Sequence, residues 1–528
     1  MSRLKELENL FALGRITRRE FITRVSALGL AAAVSPALLS SPAHAAKPKK
    51  GGRLKVGCTG GSTTDSMDPA TLTSTMNVFV QWQCRNNLVE LDHKYRAVPE
   101  LAESWEPSKD AATWVFKLRK GAEFHNGKTL DAQDVVYSMN HHRGEKSKSG
   151  AKGIMTPIKD IKADGKHTVV FSLNGGNADF PYILADYHLT IFPDGTKGAE
   201  FEKCIGTGGY IMQKWEPGVR FFSKRNPNYW KAGRAHFDEV ETLSITDITA
   251  RTSALKTGQI HAMDRPDVKT LRLLERQPGI QVVKGPSTTH FTMPMLCNVK
   301  PFDDNNVRLG LKYAADREQM MKTILRGYGV IGNDTPISPI MQYYAKLPQR
   351  SYDPDKAKHY LKKAGALDYT FKLHAADAAF AGAVDTALLY KESAAKAGIK
   401  VDVVREPDDG YWSNVWRKKA FSMCYWQGRA TCDAMFSVEY AADTSWNDMN
   451  WKNKRFNELL VQGRSELDEK KRAEMYREMQ SIVRDDSGNI IPMIAHMITA
   501  ASKKLAFKNY ATSNDLDGNR LSERWWFA

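Results

Sequence analysis

The stretch with the most obvious chemical potential runs from Gly121 to Thr129, Gly-Ala-Glu-Phe-His-Asn-Gly-Lys-Thr. It ends like a phosphate-binding loop, whose glycines let backbone amides close on phosphate oxygens. The first glycine that the pattern needs is Ala122, with Gly121 one residue early. Arg119-Lys120-Gly121 therefore reads as the turn closing a strand. His141 and His142 could ligate a metal, but neighbours on a helix point about 100° apart, so a surface role is expected. No His-Glu-x-x-His, Gly-x-Ser-x-Gly or suitably partnered Ser-x-x-Lys occurs. No catalytic residue, metal ligand or cofactor is assigned, and a binding protein is expected rather than an enzyme. An exported hydrolase, or a receptor that presents its ligand to a sensor, is the competing class. Aromatics are more informative. Trp412, Trp416, Trp426, Trp446 and Trp451 cluster with Tyr411, Tyr425 and Tyr440. Indoles beside hydrogen-bonding groups make up either a core or a ligand cleft. For Trp426 beside Gln427-Gly428-Arg429, and for Trp446 beside Asn447-Asp448, the two readings stand level.

Such side chains need a scaffold. Strands are expected at 53–57, 114–118, 168–173 and 490–494, the last carrying Pro492. A helix is expected from Asp131, which can cap it, with Val135, Val136 and Met139 on its apolar face. Val307, Leu311 and Ala314/Ala315 mark a second helix. Met475, Tyr476, Met479, Ile482 and Val483 mark a third. The run Asp468 to Arg472 reads as a solvated helix face. Strands and helices mix along the whole chain, which argues for an α/β fold.

The chain has 528 residues, 42% hydrophobic and 26% charged, with a formal charge of +16. These are globular proportions, which exclude disorder and a polytopic membrane protein. The basic surplus invites a nucleic-acid partner, but the N-terminus argues otherwise. Thr17-Arg18-Arg19-Glu20-Phe21-Ile22 is a twin-arginine export pattern. A short apolar stretch follows, then Ala43-His44-Ala45, a signal-peptidase site. Cleavage near Ala45 removes six basic and three acidic side chains and leaves about +13. The twin-arginine translocase and signal peptidase are thus expected partners, and nucleic acid is not. The six cysteines form either disulfides or buried thiols; sequence does not choose.

Several ordered blocks resemble the extracytoplasmic solute-binding proteins of family 5, the dipeptide, oligopeptide and nickel receptors of ABC importers. They are Leu101 to Asp110, Trp114 to Gly121, Phe124 to Lys128 with Ala132 to Ser138, Gly206 to Tyr210, Trp215 to Gly218, Arg225 to Trp230, Val307 to Arg317 and Tyr352 to Ala357. The resemblance implies a two-lobed periplasmic-binding-protein fold (type II, cluster C) that closes over a solute and presents it to a membrane permease. After a signal peptide at 1–45, lobe I would span 46–287, with a subdomain at about 87–200. Lobe II would span 288–496, and 497–528 would return to lobe I. The crossings would fall near Ser287-Thr288-Thr289 and Ala495-His496-Met497. A monomer in the periplasm is expected.

Peptide-binding members present Trp-x-x-Asp, whose carboxylate meets the peptide ammonium. The matching segment is Trp426-Gln427-Gly428-Arg429, with arginine in place of the acid. A guanidinium repels an amine and grips a carboxylate or phosphate. The expected solute is therefore peptide-like with that difference, or an opine or sugar acid. A shifted register would make Cys432-Asp433 or Asp448 the carboxylate instead. Ligand contacts are also expected from Tyr411, Trp412, Trp446, Asn447 and, in lobe I, from Arg85, Thr64 and Asp65.

Overall fold

Two long strands, Ile280–Pro294 and Asn489–Ser502, run antiparallel side by side in a nine-stranded mixed sheet. The protein is described by a computed structural model over residues 48–528, apart from 409, 410 and 443. The twin-arginine segment and the Ala45 site lie outside the described residues. Along its first half, Ile280–Pro286 pairs with His496–Ser502; after a register shift, His290–Pro294 pairs with Asn489–Ile494. The shift spans Ser287 to Thr289. Such an irregularity bends a strand pair and raises its local twist. Ser287 Oγ donates to Ala495 O (2.7 Å), and Ser338 Oγ donates to Ser287 O (2.7 Å).

On one side of the shift, Arg53–Cys58 lies parallel between Glu239–Ser244 and Ala262–Asp264. The antiparallel strands Arg220–Arg225 and Tyr210–Glu216 extend the sheet outward. Leu54, Val56, Phe79, Phe221 and Val240 form a core there, and the C-terminal Leu505, Leu516, Leu521 and Trp525 join it. A separate antiparallel sheet, Ala102–Pro107, Thr113–Leu118, Thr168–Leu173 and Ile158–Ala163, carries its own core around Phe116, Phe171 and Phe180. Their rings meet at 5.1–6.1 Å. Burying each such side chain contributes roughly 1.5–3 kcal/mol. On the far side of the shift, two further cores form from residues between Phe291 and Met493.

The expected helices are present: Ala132–His141 with a complete Asp131/Asp134 capping box, Asn305–Tyr313, and Glu469–Asp486. Two surface expectations are corrected. His142 is buried and hydrogen-bonded to Ser149 Oγ (2.7 Å), so only His141 reaches the surface layer, held by Asp68 (2.7 Å). Arg472 is buried too, because it pairs with Asp179 (2.7 Å). All six cysteines are thiols, five of them buried. Among the described residues, no helix is long and apolar enough to cross a membrane.

Candidate functional site

The strand Cys424–Trp426 adds to the edge of the sheet just past the register shift, with Trp426 opposite His290. Side chains alternate along a strand, so Cys424 and Trp426 turn inward while Tyr425 stays 42% exposed. The loop Gln427-Gly428-Arg429 then passes Thr288. A Cβ on Gly428 would fall 2.2 Å from both Thr288 Cβ and its carbonyl oxygen, so only glycine permits this approach. Arg429 is half-buried, and its Nη1 donates to Gln427 O (2.6 Å). Burial lowers its pKa, while Asp186, Tyr187 and Glu439 oppose the shift. Asp186 and Tyr187 belong to the segment carrying the separate antiparallel sheet. Arg429 therefore sits where the two sides of the molecule face one another.

An aromatic wall adjoins this loop at Tyr425 and Trp426. Trp412 and Trp446 are 41% and 46% exposed. Trp412 meets Trp416 and Tyr425 at 5.8 and 5.7 Å, and Trp446 meets Trp426 and Trp416 at 5.9 and 6.5 Å. Behind them, Trp416 Nε1 and Trp426 Nε1 both donate to Asp448 Oδ2 (3.2 and 3.1 Å). Burial and the neighbouring Glu439 push Asp448 up to about 7. Tyr425 also faces Arg265 across the molecule, an influence felt in the arginine's raised pKa, which chiefly reflects its 2.8 Å ion pair with Asp515.

The structure thus brings Trp412, Trp426, Gln427, Gly428, Arg429, Trp446 and Asp448 together. Other expected residues are committed elsewhere. Arg85 is fully buried, and its guanidinium donates to Met67 O, Gln81 Oε1, Ile205 O and Phe201 O. It ties an internal turn and is closed to a solute. Tyr411 is buried with its hydroxyl on Met423 O (2.7 Å). Asn447 is buried and cross-links Trp451 N and O with Ala441 O. Thr64 and Asp65 lie in an exposed turn whose groups bond one another through Ser62. Asp433 is held by Arg464 (3.2 Å). Residues absent from the sequence reading are Arg265, Asp515, Asp186, Tyr187, His290 and Glu439. Only pairing across the sheet and between distant segments brings them here.

Among the described residues, polar contacts between the two sides include these. Asp179 pairs with Arg472 (2.7 Å), Ala178 N donates to Arg464 O (2.7 Å), and Tyr182 Oη donates to Gln342 Oε1 (3.3 Å).

Comparison with known proteins agrees with this architecture. Residues 96–448 match the profile of the bacterial extracellular solute-binding proteins, family 5 middle region. The di/tripeptide-binding protein 1 of Pseudomonas aeruginosa is 25% identical over 492 residues, covering 86% of this chain and 91% of its own. The glutathione-binding protein GsiB of Escherichia coli O6 is 24% identical over 495 residues, covering 90% and 94%. The structure of HbpA2 from Haemophilus parasuis superposes with a TM-score of 0.79 at 20% identity, over 90% of this chain and all of that one. With a profile match over most of its length, this chain belongs to the family 5 bacterial extracellular solute-binding proteins.

Proposed function

We propose that the protein is the periplasmic receptor of an ABC importer. It captures a small solute between two lobes and hands it to the membrane permease. Twin-arginine export and cleavage near Ala45 bring it there as a monomer. Lobe I comprises about 46–287, including a subdomain at 87–200, together with the return of 497–528. Lobe II comprises 288–496. The grouping of the buried cores on either side of the Ser287–Thr289 register shift supports this division. Closure by hinge bending suits a strand pair whose ladder is interrupted between Pro286 and His290, where the chain crosses from one side to the other.

The solute carries an anionic group. The observation behind this is Arg429, a half-buried guanidinium that makes no ion pair among the described residues and follows Trp426, on which the exposed Trp446 packs. Its planar fork accepts a carboxylate or phosphate in two parallel hydrogen bonds. Gln427, Trp412, Trp446 and Tyr425 supply apolar and polar contact around it. Peptides fit where their carboxylate rather than their amine meets Arg429; opines and sugar acids fit on the same ground. Native mass spectrometry of protein purified without denaturation identifies the retained solute. A bound species with neither carboxylate nor phosphate would overturn this assignment.

A further inference from the structure

A cavity of about 300 Å³ opens where the two sides of the molecule meet, and none of its lining residues belongs to the Arg429 site. Lys269 lines it from the near side, the one that carries Arg53–Cys58. The far side supplies the end of helix Arg317–Thr323 with the turn after it, and helix Ala383–Ala395 with the two residues before it. Along the second helix, Asp385, Leu388, Leu389 and Glu392 recur at i, i+3, i+4 and i+7, which puts them on one face. Leu388 is 45% exposed there. Two leucines thus lie between two acids, in a cavity whose other charged walls are the bases Lys269 and Arg326. Among the described residues, none of these four charged side chains forms an ion pair. Arg326 is held at φ 50°, a left-handed conformation that residues other than glycine rarely adopt.

The cavity adjoins a joint between the sides. Tyr328 follows Arg326 by two residues and leads into the strand Gly329–Ile331, which pairs with Met493–Ala495 on the far side. Yet its ring is 4% exposed within a small core whose other buried members run from Ala254 to Ile280, with Ile498 and Ala500, all on the near side. Tyr328 O accepts from His496 N (3.0 Å), and Lys284 Nζ stands 4.5 Å from the ring centroid. One side is therefore plugged into the other beside the strand crossing.

We propose that this cavity is an effector site for a free amino acid with an apolar side chain, and that its occupant ties the two sides together beside Tyr328. The volume stands at the lower end of small-ligand pockets, roughly 300–1,000 Å³, which suits a single amino acid. Its carboxylate meets Lys269 and Arg326, its ammonium meets Asp385 and Glu392, and its side chain covers Leu388 and Leu389. Both charges are needed, because an anion alone faces the two acids and a cation alone faces the two bases. Lys269 is the near side's contribution, so an occupied site favours the arrangement in which Lys269 reaches it. The site goes beyond the solute cleft and does not depend on the anion grip of Arg429.

The test is calorimetric titration with L-leucine and L-phenylalanine, and with leucinamide and 4-methylpentanoate, each of which lacks one of the two charges. Saturable binding of at least one amino acid is expected, with leucinamide and 4-methylpentanoate binding at least about tenfold more weakly than leucine. Arg326→Ala with Asp385→Ala is expected to weaken amino-acid binding about tenfold or more, with melting temperature as the check on folding. Arg429→Ala is expected to leave it unchanged, so failure of the anion grip is read separately. Small-angle X-ray scattering is expected to show a smaller radius of gyration with the amino acid bound, and no such change in Lys269→Ala. Absence of saturable binding of both amino acids to the wild-type protein would overturn the proposal without need of any variant. Full binding by the folded double variant, loss of binding in Arg429→Ala, or an unchanged radius on saturation would each do the same.

Discussion

Arg429 owes its importance to what surrounds it rather than to its charge alone. The chain has 76 lysines and arginines, and most of the buried ones are matched: Arg251 with Asp264, Arg317 and Arg350 with Asp334, Arg520 with Glu100. Among the described residues, Arg429 forms no ion pair and donates to a carbonyl of its own loop. Its position depends on Gly428. In Gly428→Ala, the new methyl collides with Thr288 backbone, which cannot yield as a side-chain tip would. The loop must shift, at a cost of about 1–3 kcal/mol, and a solute gripped by Arg429 should bind at least about tenfold more weakly by calorimetry. Unaltered affinity with unaltered melting would refute that placement. Asp448 makes a pH-dependent prediction. Its folded pKa of about 7 lies above its ordinary 3.8, so the folded state holds the proton more tightly. Its ionisation therefore costs stability progressively as pH rises from about 4 through 7, by a few kcal/mol at most. Asp448→Asn should flatten that part of the melting-temperature profile. A profile as steep as that of the wild type would contradict the buried acid. At this scale the sequence was informative about Trp426, Gly428, Arg429 and Trp446, which share a short stretch of chain. It misled about Arg85, whose carbonyl partners come from residues 67, 201 and 205, a cage that no local pattern announces.

Elements place these residues through one strand pair and one latch. The pair Ile280–Pro294 and Asn489–Ser502 carries the register shift, and Cys424–Trp426 docks just beyond it, so the aromatic wall belongs to the far half of the sheet. Across the interface, Asp179 and Arg472 form a buried ion pair. Arg472 also lies over the rings of Tyr343 and Tyr476 at 5.3 and 5.4 Å. Removing one partner of such a pair leaves an uncompensated charge, a loss of about 3–5 kcal/mol. Here the loss falls on contact between the two sides rather than on either core. Asp179→Asn should therefore raise the radius of gyration in small-angle X-ray scattering without solute, with little change in circular dichroism. An unchanged radius would show that the contact does not hold the sides together. Helix Glu469–Asp486 was legible because Tyr476, Met479 and Val483 recur at helical spacing and are all buried. Its N-terminal charge run was misread because Arg472 faces a partner nearly three hundred residues away in sequence. The four-residue helix Tyr411–Asn414 and the three-residue strand Cys424–Trp426 are too short for periodicity to declare.

For the molecule as a whole, the C-terminus binds the first half of the chain. Lys231 contacts Glu90, Glu100 and Glu523 at 2.6, 2.7 and 3.1 Å; Arg520 reaches Glu100 (2.7 Å) and Arg524 reaches Glu90 (2.7 Å). The surrounding cations overcome burial and hold Glu523 at about 2, below its ordinary 4.5, and Glu90 well below as well. The sign is opposite to that of Asp448. This stabilisation is present above about pH 4.5 and is lost as pH falls towards 2. Melting temperature should drop steeply over that window, and Glu523→Gln should make the drop shallower; equal slopes would exclude the network as the cause. The α/β class and the family blocks were readable in the sequence because short contiguous motifs carry them. The joining of residues 90, 100, 231 and 520–524 was not, since it rests on contacts across 131 to 434 positions.

The central claim is that the cleft receives an anionic group on Arg429. Calorimetric titration tests it most directly, comparing wild type with Arg429→Ala, using the solute retained on purification and the simple dipeptide Ala-Ala. The account predicts that the retained solute carries a carboxylate or phosphate and that the variant binds it about ten- to hundredfold more weakly, as loss of a charge-assisted hydrogen bond requires. Tight binding of Ala-Ala, undiminished by Arg429→Ala, would contradict it.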